Sequence, residues 1–194
     1  MPLPDLSHAA LLSMDLQSAI VSIYTKGQED FLPRIAGVQN WARARGMPVI
    51  HVRMGFRPGM PEVSLRNPLV AAIKTNPQWR QLFEGEAGAI HAAVAPEGDE
   101  IVIAKHRISA FTGTDLDMIL GAKEIDTLIL MGIATSGVVL ATLFDATGAD
   151  YRVAVVKDCC ADLDAEVHGC LTGKVFARLA TVVTAEELAA QAPA

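Results

Sequence analysis

The chain has 194 residues, of which 51% are hydrophobic and 20% are charged, and its net charge is −6. This composition is typical of one folded globular domain, and the acidic balance argues against a protein that binds nucleic acid or an anionic membrane surface. No run of residues approaches the ~20 apolar residues of a transmembrane helix, no basic stretch precedes the first apolar run, and three cysteines are too few for a disulfide framework, so a cytoplasmic protein is expected.

Six short apolar runs alternate with helical patterns along the chain. The predicted strands are Ala10–Met14, Pro48–Met54, Glu100–Lys105, Thr127–Met131, Tyr151–Lys157 and Ala180–Val183. The predicted helices cover Glu29–Arg45, a segment from Thr114, Gly137–Asp150, Asp164–Phe176, and a final helix that Thr184 caps together with Glu187. Strands that are apolar on both faces and separated by helices indicate a mainly parallel six-stranded sheet between two layers of helices, within a single α/β domain over residues 1–194.

The segment Gly55–Gly88 departs from this alternation. It is rich in Gly, Pro, Arg and Asn, and its pattern predicts a long loop with one or two helical turns near Pro68–Lys74. Loops of this length are usually functional or mobile.

Charged residues stand at the ends of the predicted strands. Asp15 follows the first strand, Arg53 lies near the end of the second, and Lys105 ends the third. The turn "GIATSGVV" (Gly132–Val139) follows the fourth strand, and Asp158–Cys160 follows the fifth. Ligands of parallel α/β sheets bind outside the carboxyl ends of the strands, so these residues are candidates for a site. An ordinary ion pair between strand ends is the alternative for Asp15 and Lys105.

Three segments, taken together, resemble the isochorismatase-like hydrolases, which are also called cysteine hydrolases and include nicotinamidases and carbamoyl-amide hydrolases. The segments are "LLSMDLQ" (Leu11–Gln17), "IAKHRISAF" (Ile103–Phe111) and the stretch from Leu128 to Asp162. The resemblance extends from about Ala9 to Leu188 and is weakest in Gly55–Gly88. It implies an isochorismatase-like (Rossmann-like) fold and a hydrolase that acts on a small molecule without a cofactor.

The resemblance also implies roles for single residues. The family's catalytic Asp and Lys match Asp15 and Lys105. Its motif G-V-x-T-x-x-C-V-x-x-T falls on Gly132–Thr142, which puts Val138 at the position of the nucleophilic cysteine. A cis peptide bond is implied between Ile133 and Ala134, and the backbone of Ile133, Ala134, Gly137 and Val138 is expected to orient a substrate oxygen.

Valine cannot attack a carbonyl carbon, so the covalent route of the cysteine members is closed. Isochorismatases of the same family also lack the cysteine, and they hydrolyse a vinyl ether with the equivalent Asp as the acid. The resemblance therefore implies hydrolysis of a small polar vinyl ether, amide or ureide, with Asp15 as acid or base. Isochorismatases carry K-W-R-Y-S-A-F, whereas His106 and Ile108 stand at the Trp and Tyr positions here, which leaves the substrate open.

Two other functions remain open. The first alternative to that hydrolase is a non-catalytic protein for small-molecule binding or assembly that retains the family pocket, and the second is an amidase with a substitute nucleophile. Ser136, Cys159 and Cys160 are the candidates for that nucleophile, although small apolar packing residues are the simpler interpretation of the two cysteines. Cys170 is predicted to be a packing residue within a helix.

The remaining candidates concern substrate and partners. Arg53 and Arg57 are candidates for binding an anionic substrate, with solvated arginines as the alternative, and Phe111 and Ser136 are further candidates for substrate contact. The five histidines show no spacing of metal ligands, so no metal site is expected. The family resemblance implies a homo-oligomer, a dimer or tetramer, with Gly55–Gly88 and the segment after Ala141 as contact surfaces.

Overall fold

One parallel sheet forms the centre of the molecule in the computed structural model, which describes residues 4–190. Residues 1–3 and 191–194 of the predicted domain lie outside the described residues. The sheet order is β3-β2-β1-β4-β5-β6, and every neighbouring pair is parallel. The strands are β1 (Ala9–Met14), β2 (Val49–Met54), β3 (Ile101–Lys105), β4 (Thr127–Ile133), β5 (Arg152–Ala161) and β6 (Thr181–Val183). The predicted six-stranded sheet is confirmed.

Helices cover both faces of the sheet, as the alternation of apolar runs predicts. They are α1 (Ser18–Tyr24), α2 (Phe31–Arg43), α3 (Pro68–Thr75), α4 (Pro77–Gln81), α5 (Leu116–Ala122), α6 (Leu140–Gly148), α7 (Ala165–Cys170) and α8 (Ala185–Ala189).

The two faces of the sheet have separate apolar cores. On one face Phe31 and Ile35 of α2 pack with residues of α1 and α8, and on the other Leu120 of α5 packs with Leu143 of α6. Successive residues of a strand point to opposite faces, so each central strand supplies both cores and must be apolar throughout. The expected capping box of α8 is present, with Thr184 Oγ1 accepting from the Glu187 N–H.

Strand β5 is longer than its sequence pattern predicts. Its pairing with β4 shifts between Leu130, which faces Val155, and Gly132, which faces Cys160. The extra residues of β5 form an irregularity, and the strand then continues to Ala161. Cys159 and Cys160 are therefore buried inside the sheet, and the prediction that they follow the strand is wrong.

The chain reverses its direction of strand addition between β1 and β4. The carboxyl ends of these two strands therefore form the crevice where ligands of open α/β sheets bind. Gly132 of β4 has a φ of +139°, and a Cβ atom there would lie 2.0 Å from the Met14 carbonyl oxygen. Only glycine allows the two strands to approach this closely at the edge of the crevice.

The segment between β2 and β3 is more ordered than the sequence prediction of a long loop. Its two helices, α3 and α4, each begin with proline after an asparagine, and four buried residues form a small core of their own: Met60, Val63, Val70 and Ile73. We call residues 55–88 the cap segment. Gln17 holds its two ends together, because its side-chain amide donates to the carbonyl oxygens of Met54 (3.0 Å) and Gly88 (2.7 Å).

None of the helices within residues 4–190 is both long and apolar enough to cross a membrane.

Glu100 links α2 to the sheet, and its replacement should destabilise the fold in a pH-dependent way. Burial by itself raises the pKa of this carboxyl, but hydrogen bonds from Arg43, the Glu97 N–H and His51 outweigh burial and lower the pKa to about 2. Glu100→Gln should lower the free energy of unfolding by about 1–3 kcal/mol at neutral pH, because the negative charge is lost and one of the two acceptor oxygens becomes an NH2 group that cannot accept a hydrogen bond.

The sign of the pH dependence follows from the lowered pKa. The stabilisation by ionised Glu100 is present above the unfolded-state pKa of about 4.5 and is lost as the pH falls towards about 2. Urea unfolding of both proteins should show a difference that narrows below about pH 4.5. Glu97→Gln is the matched control, because Glu97 pairs with the same Arg43 but its side chain is 68% exposed; an equal effect of both variants would contradict the account.

Candidate active site

Asp15 is the first residue after β1, at the crevice. Its N–H donates to the Val52 carbonyl oxygen of β2 (2.8 Å), and its φ of +54° lies in the left-handed region. Few residues other than glycine adopt this conformation, although Asp is among those that do so more readily. The backbone thus turns sharply where the carboxylate leaves the sheet.

Lys105 reaches this carboxylate from the end of β3. Its Nζ lies 2.8 Å from Asp15 Oδ2 and also donates to the Arg107 carbonyl oxygen at 3.1 Å. Lys105 is 1% exposed and Asp15 is 9% exposed, so the pair is almost fully withdrawn from solvent. Burial raises the pKa of Asp15, and the neighbouring ammonium offsets only part of that rise. The other carboxylate oxygen of Asp15, Oδ1, is buried and has no hydrogen-bond partner among the described residues.

A cavity of about 340 Å³ opens above this pair. Its floor consists of residues at the ends of the strands, among them Asp15 and Lys105. Its walls come from α1, from the cap segment and from the loop after β3, and they are mostly apolar: Ile20, Tyr24, Leu69, Ile73, Phe83 and Ile108. Sequence analysis identified none of these as site residues. Two positions differ from the isochorismatase motif: Ile108 lines the cavity, whereas the His106 ring is hydrogen-bonded to the Gly55 carbonyl oxygen of the cap segment.

The turn after β4 closes the cavity on the remaining side. The peptide bond between Ile133 and Ala134 is cis, as the family resemblance implies. Val138 lines the same cavity as Asp15 and Lys105, and its side chain has no nucleophilic atom. The Gly137 N–H donates to the Ala134 carbonyl oxygen (3.1 Å), which corrects the expectation that this amide is available to a substrate oxygen.

A brace from the end of β5 and from α7 holds the turn. Because Ala161 pairs with Ile133, the next residue, Asp162, lies beside the turn, and its Oδ2 accepts from the Ser136 N–H at 2.7 Å. On the adjacent residue, Thr135 Oγ1 lies 2.8 Å from Nδ1 of His168. Burial, together with the negative charges of Asp162 and Asp15, raises the pKa of Tyr24 across the cavity.

Removing the Asp162 carboxylate should loosen the turn. Asp162→Ala leaves the Ser136 N–H without its charged acceptor, which should lower the free energy of unfolding by about 1–2 kcal/mol and speed up exchange of this amide. Native-state hydrogen exchange measured by NMR checks this expectation. Asp162→Asn, which retains an acceptor oxygen, is the control and should recover most of the protection; unchanged exchange in Asp162→Ala would contradict the role of the brace.

Three predicted substrate-contact residues do not reach the cavity. Arg53 points to the other face of β2 and lines a separate cavity with Val102. Arg57 lies on the cap segment with its side chain 66% exposed and lines another cavity. Phe111 packs near Tyr151, with ring centroids 5.8 Å apart, also outside the Asp15 cavity. Ser136 does line it.

The cysteines lie away from the ion pair. Cys159 and Cys160 are buried in β5, and burial raises the pKa of both thiols, that of Cys160 to about 12. Cys170 is exposed at the end of α7, so its predicted role in packing is wrong. In the part of the chain that the structure describes, no three His, Cys, Asp or Glu side chains come together as a metal site requires.

The geometry brings a buried acid and a buried cation together in a small cavity with an apolar wall. Burial favours the neutral form of such a carboxyl, and the neutral form can donate a proton to a bound molecule. Lys105 has three N–H groups and two acceptors among the described residues, which leaves one group to donate to an oxygen of that molecule.

Comparisons with known proteins identify the family of the chain. The model of the Isochorismatase domain matches residues 9–187. The chain is 29% identical over 183 residues to maleamate amidohydrolase of Pseudomonas putida, covering 92% of this chain and 84% of that protein. A solved structure of an isochorismatase family protein from Burkholderia thailandensis superimposes with a TM-score of 0.83 at 29% identity, over 97% of each chain. N-carbamoylsarcosine amidase from Thermoplasma acidophilum has a TM-score of 0.71 at 26% identity, over 92% of this chain and 96% of that one. The chain belongs to the isochorismatase family.

Proposed function

We propose that the protein is a hydrolase that uses water as its nucleophile and protonated Asp15 as its general acid. The observation that carries this proposal is the buried pair of Asp15 and Lys105, 2.8 Å apart, facing the cavity that Val138 lines. A carboxyl group beside an apolar wall is pushed towards its neutral form, and a neutral carboxyl is the form that donates a proton.

For a vinyl ether, the Asp15 proton moves to the double-bond carbon that is remote from the ether oxygen. The π electrons form the new C–H bond, and the oxygen stabilises the cation on the adjacent carbon. Water then adds to this carbon and returns a proton to the Asp15 carboxylate. The resulting hemiketal or hemiacetal separates into a carbonyl compound and an alcohol, so the acid is regenerated without a covalent enzyme intermediate.

For an amide or ureide, the same groups act on a different bond. Water attacks the carbonyl carbon, and the free N–H of Lys105 donates to the oxygen on which negative charge develops. Asp15 gives its proton to the leaving nitrogen as the C–N bond breaks, and its carboxylate takes up the proton that the attacking water loses, so the products are an amine and a carboxylic acid and Asp15 is again protonated. We extend the proposal to amides and ureides because two relatives, maleamate amidohydrolase and N-carbamoylsarcosine amidase, bear the names of amide hydrolases.

A substitute nucleophile has less support. Cys159 and Cys160 do not line the cavity, and burial raises the pKa of their thiols, so the reactive thiolate is disfavoured. Two residues of the turn carry a hydroxyl group, Thr135 and Ser136. The Thr135 hydroxyl is hydrogen-bonded to His168, so Ser136, which lines the cavity, is the remaining candidate. If water is the nucleophile, Ser136→Ala should therefore lower turnover by no more than about tenfold, the effect of one lost hydrogen bond to the substrate, whereas loss of a nucleophile would lower it far more.

An activity screen tests the proposal. The panel should contain isochorismate, simple vinyl ethers, maleamate and other amides, ureides and carbamoyl compounds. We expect turnover of at least one compound, its loss in Asp15→Asn, and no mass increase of the protein during turnover. A compound that binds in the cavity without being cleaved, and a panel without turnover, would instead favour a binding protein that retains the family pocket.

Two expectations about the cellular form of the protein stay predictions. We propose that it works in the cytoplasm and as a homodimer or homotetramer. The assembly is supported by large apolar side chains that are exposed on the described surface, among them Met118 (70%) and Phe144 (52%), the latter in the segment after Ala141 that is predicted to form contacts.

A further inference from the structure

The cavity separates its polar groups from its apolar ones. Asp15 and Lys105 lie at the ends of β1 and β3, and Ser136 lies on the turn after β4, so these polar side chains come from the sheet edge. The walls that extend away from this edge belong to α1, to the cap segment and to the loop after β3. Apart from Tyr24, the wall residues that line the cavity are apolar.

Among the described residues that line the cavity, no cation is without a carboxylate partner and so available to an anionic group of the substrate. Lys105 is the single cationic side chain among the described residues that line the cavity, and Asp15 is already its partner at 2.8 Å. Arg57, Lys74 and Arg80 of the cap segment line a different cavity, on another side of Phe83. An anionic group on the part of a ligand that touches the walls would therefore be desolvated without a counter-charge, which is strongly unfavourable.

From this separation we infer that the substrate has an uncharged, apolar body, with its reacting polar group at one end. The reacting group lies on Asp15, Lys105 and the turn, and the body lies among Ile20, Leu69, Ile73, Phe83 and Ile108. The inference rests on the proposed function for the position of the reacting group. It replaces the expectation of a carboxylate-bearing substrate that binds to Arg53 and Arg57.

The two aromatic side chains of the walls suit a flat apolar body. Phe83 and Tyr24 both line the cavity, and rings of this kind pack favourably against an aryl group. Leu69 and Ile108 are each 38% exposed, so the opening of the cavity is apolar as well as its interior. The body therefore meets apolar surface along the whole path from the opening to the ion pair.

A matched pair of amides tests the inference without requiring turnover. The probes are 3-phenylpropanamide and 3-(4-carboxyphenyl)propanamide, which share the amide and the chain and differ by one carboxylate on the ring. Ligand-observed NMR titration of the Asp15→Asn protein and of the unmodified protein gives both dissociation constants. We expect the neutral amide to bind at least about 100-fold more tightly, since a buried charge without a partner is penalised heavily.

A charge placed on the wall should reverse this preference. Leu69→Arg adds a cation at the opening of the cavity and should bring the anionic amide to within about tenfold of the neutral one or make it the tighter ligand. Leu65→Arg is the control, because Leu65 belongs to the same cap segment, is 68% exposed and does not line the cavity. It should leave the preference unchanged.

The outcomes separate this inference from the proposed function. Equal binding of the two amides, tighter binding of the anionic amide, no detectable binding of either, or equal effects of Leu69→Arg and Leu65→Arg would overturn the inference. A clear preference for the neutral amide, together with an absence of turnover for every compound of the screen, would support the inference and refute the hydrolase.

Discussion

Replacing Asp15 with Asn is expected to lower kcat by about a hundredfold to ten-thousandfold, which is the usual contribution of a positioned acid. The amide has nearly the shape of the carboxyl group and can accept the hydrogen bond from Lys105, but it has no proton to donate as an acid. Because the inferred position of the substrate body is against the cavity walls and away from Asp15, KM should change much less than kcat. Steady-state kinetics on any substrate from the screen provides the measurement.

The control for this variant is Asp145→Asn. Asp145 is an exposed carboxylate on α6 that lines a different cavity, so the same chemical change there should leave kcat within about twofold. Thermal unfolding of both variants shows whether the fold is retained. If folded Asp15→Asn keeps half or more of the original kcat, Asp15 is not the acid.

Introducing a thiol at position 138 should create the most reactive cysteine of the chain. In Val138→Cys the new thiol faces the cavity beside Lys105 and at the start of α6, and a cation and a helix N-terminus both favour the thiolate. A thiol pKa about one unit below the ordinary value gives about tenfold more thiolate at neutral pH, but the less basic thiolate is also less nucleophilic, so iodoacetamide should modify it about threefold faster than an exposed ordinary cysteine. The variant belongs in a Cys170→Ser background, because Cys170 is exposed.

Two comparisons make the thiol experiment specific. Val139→Cys places a thiol at the next residue, which is about as buried as Val138 (0% against 2% exposed) but does not line the cavity, and it should react slowly. Lys105→Met keeps the aliphatic stem but removes the charge, so Val138→Cys combined with it should lose most of its selectivity. A thiol at position 138 that reacts no faster than one at position 139 would mean that the turn is not part of an active site.

The sheet was predictable from the sequence because its strands are apolar on both faces. Runs such as Thr127–Met131 have one interpretation in an α/β pattern, and the glycine, proline and capping signals between them are local. Strand β5 was predicted too short because its continuation depends on pairing with β4 across an irregularity, which is a tertiary feature. The helices of the cap segment have a local signal that was missed, an Asn-Pro pair at Asn67 and at Asn76.

The candidate site was predictable in part. The structure brings together Asp15, Lys105 and the turn because all three follow parallel strands and therefore meet at one edge of the sheet. Arg53 was misplaced because side chains of a strand alternate between its faces, and Met54, the next residue, is the one that lines the cavity. The wall residues of α1 escaped prediction because a seven-residue helix carries too little periodicity to be recognised.

The pH dependence of kcat/KM tests the central claim most directly, because it reports the protonation state in which Asp15 works. A general acid acts in its protonated form, so the rate should be constant at low pH and fall about tenfold per pH unit above the pKa of Asp15. Burial raises this pKa above its ordinary value of 3.8, so the descent should begin above the range of an exposed carboxyl and should be absent from the residual activity of Asp15→Asn. A rate that instead rises with pH through the same pKa would show that ionised Asp15 is the active form, and would contradict the acid mechanism.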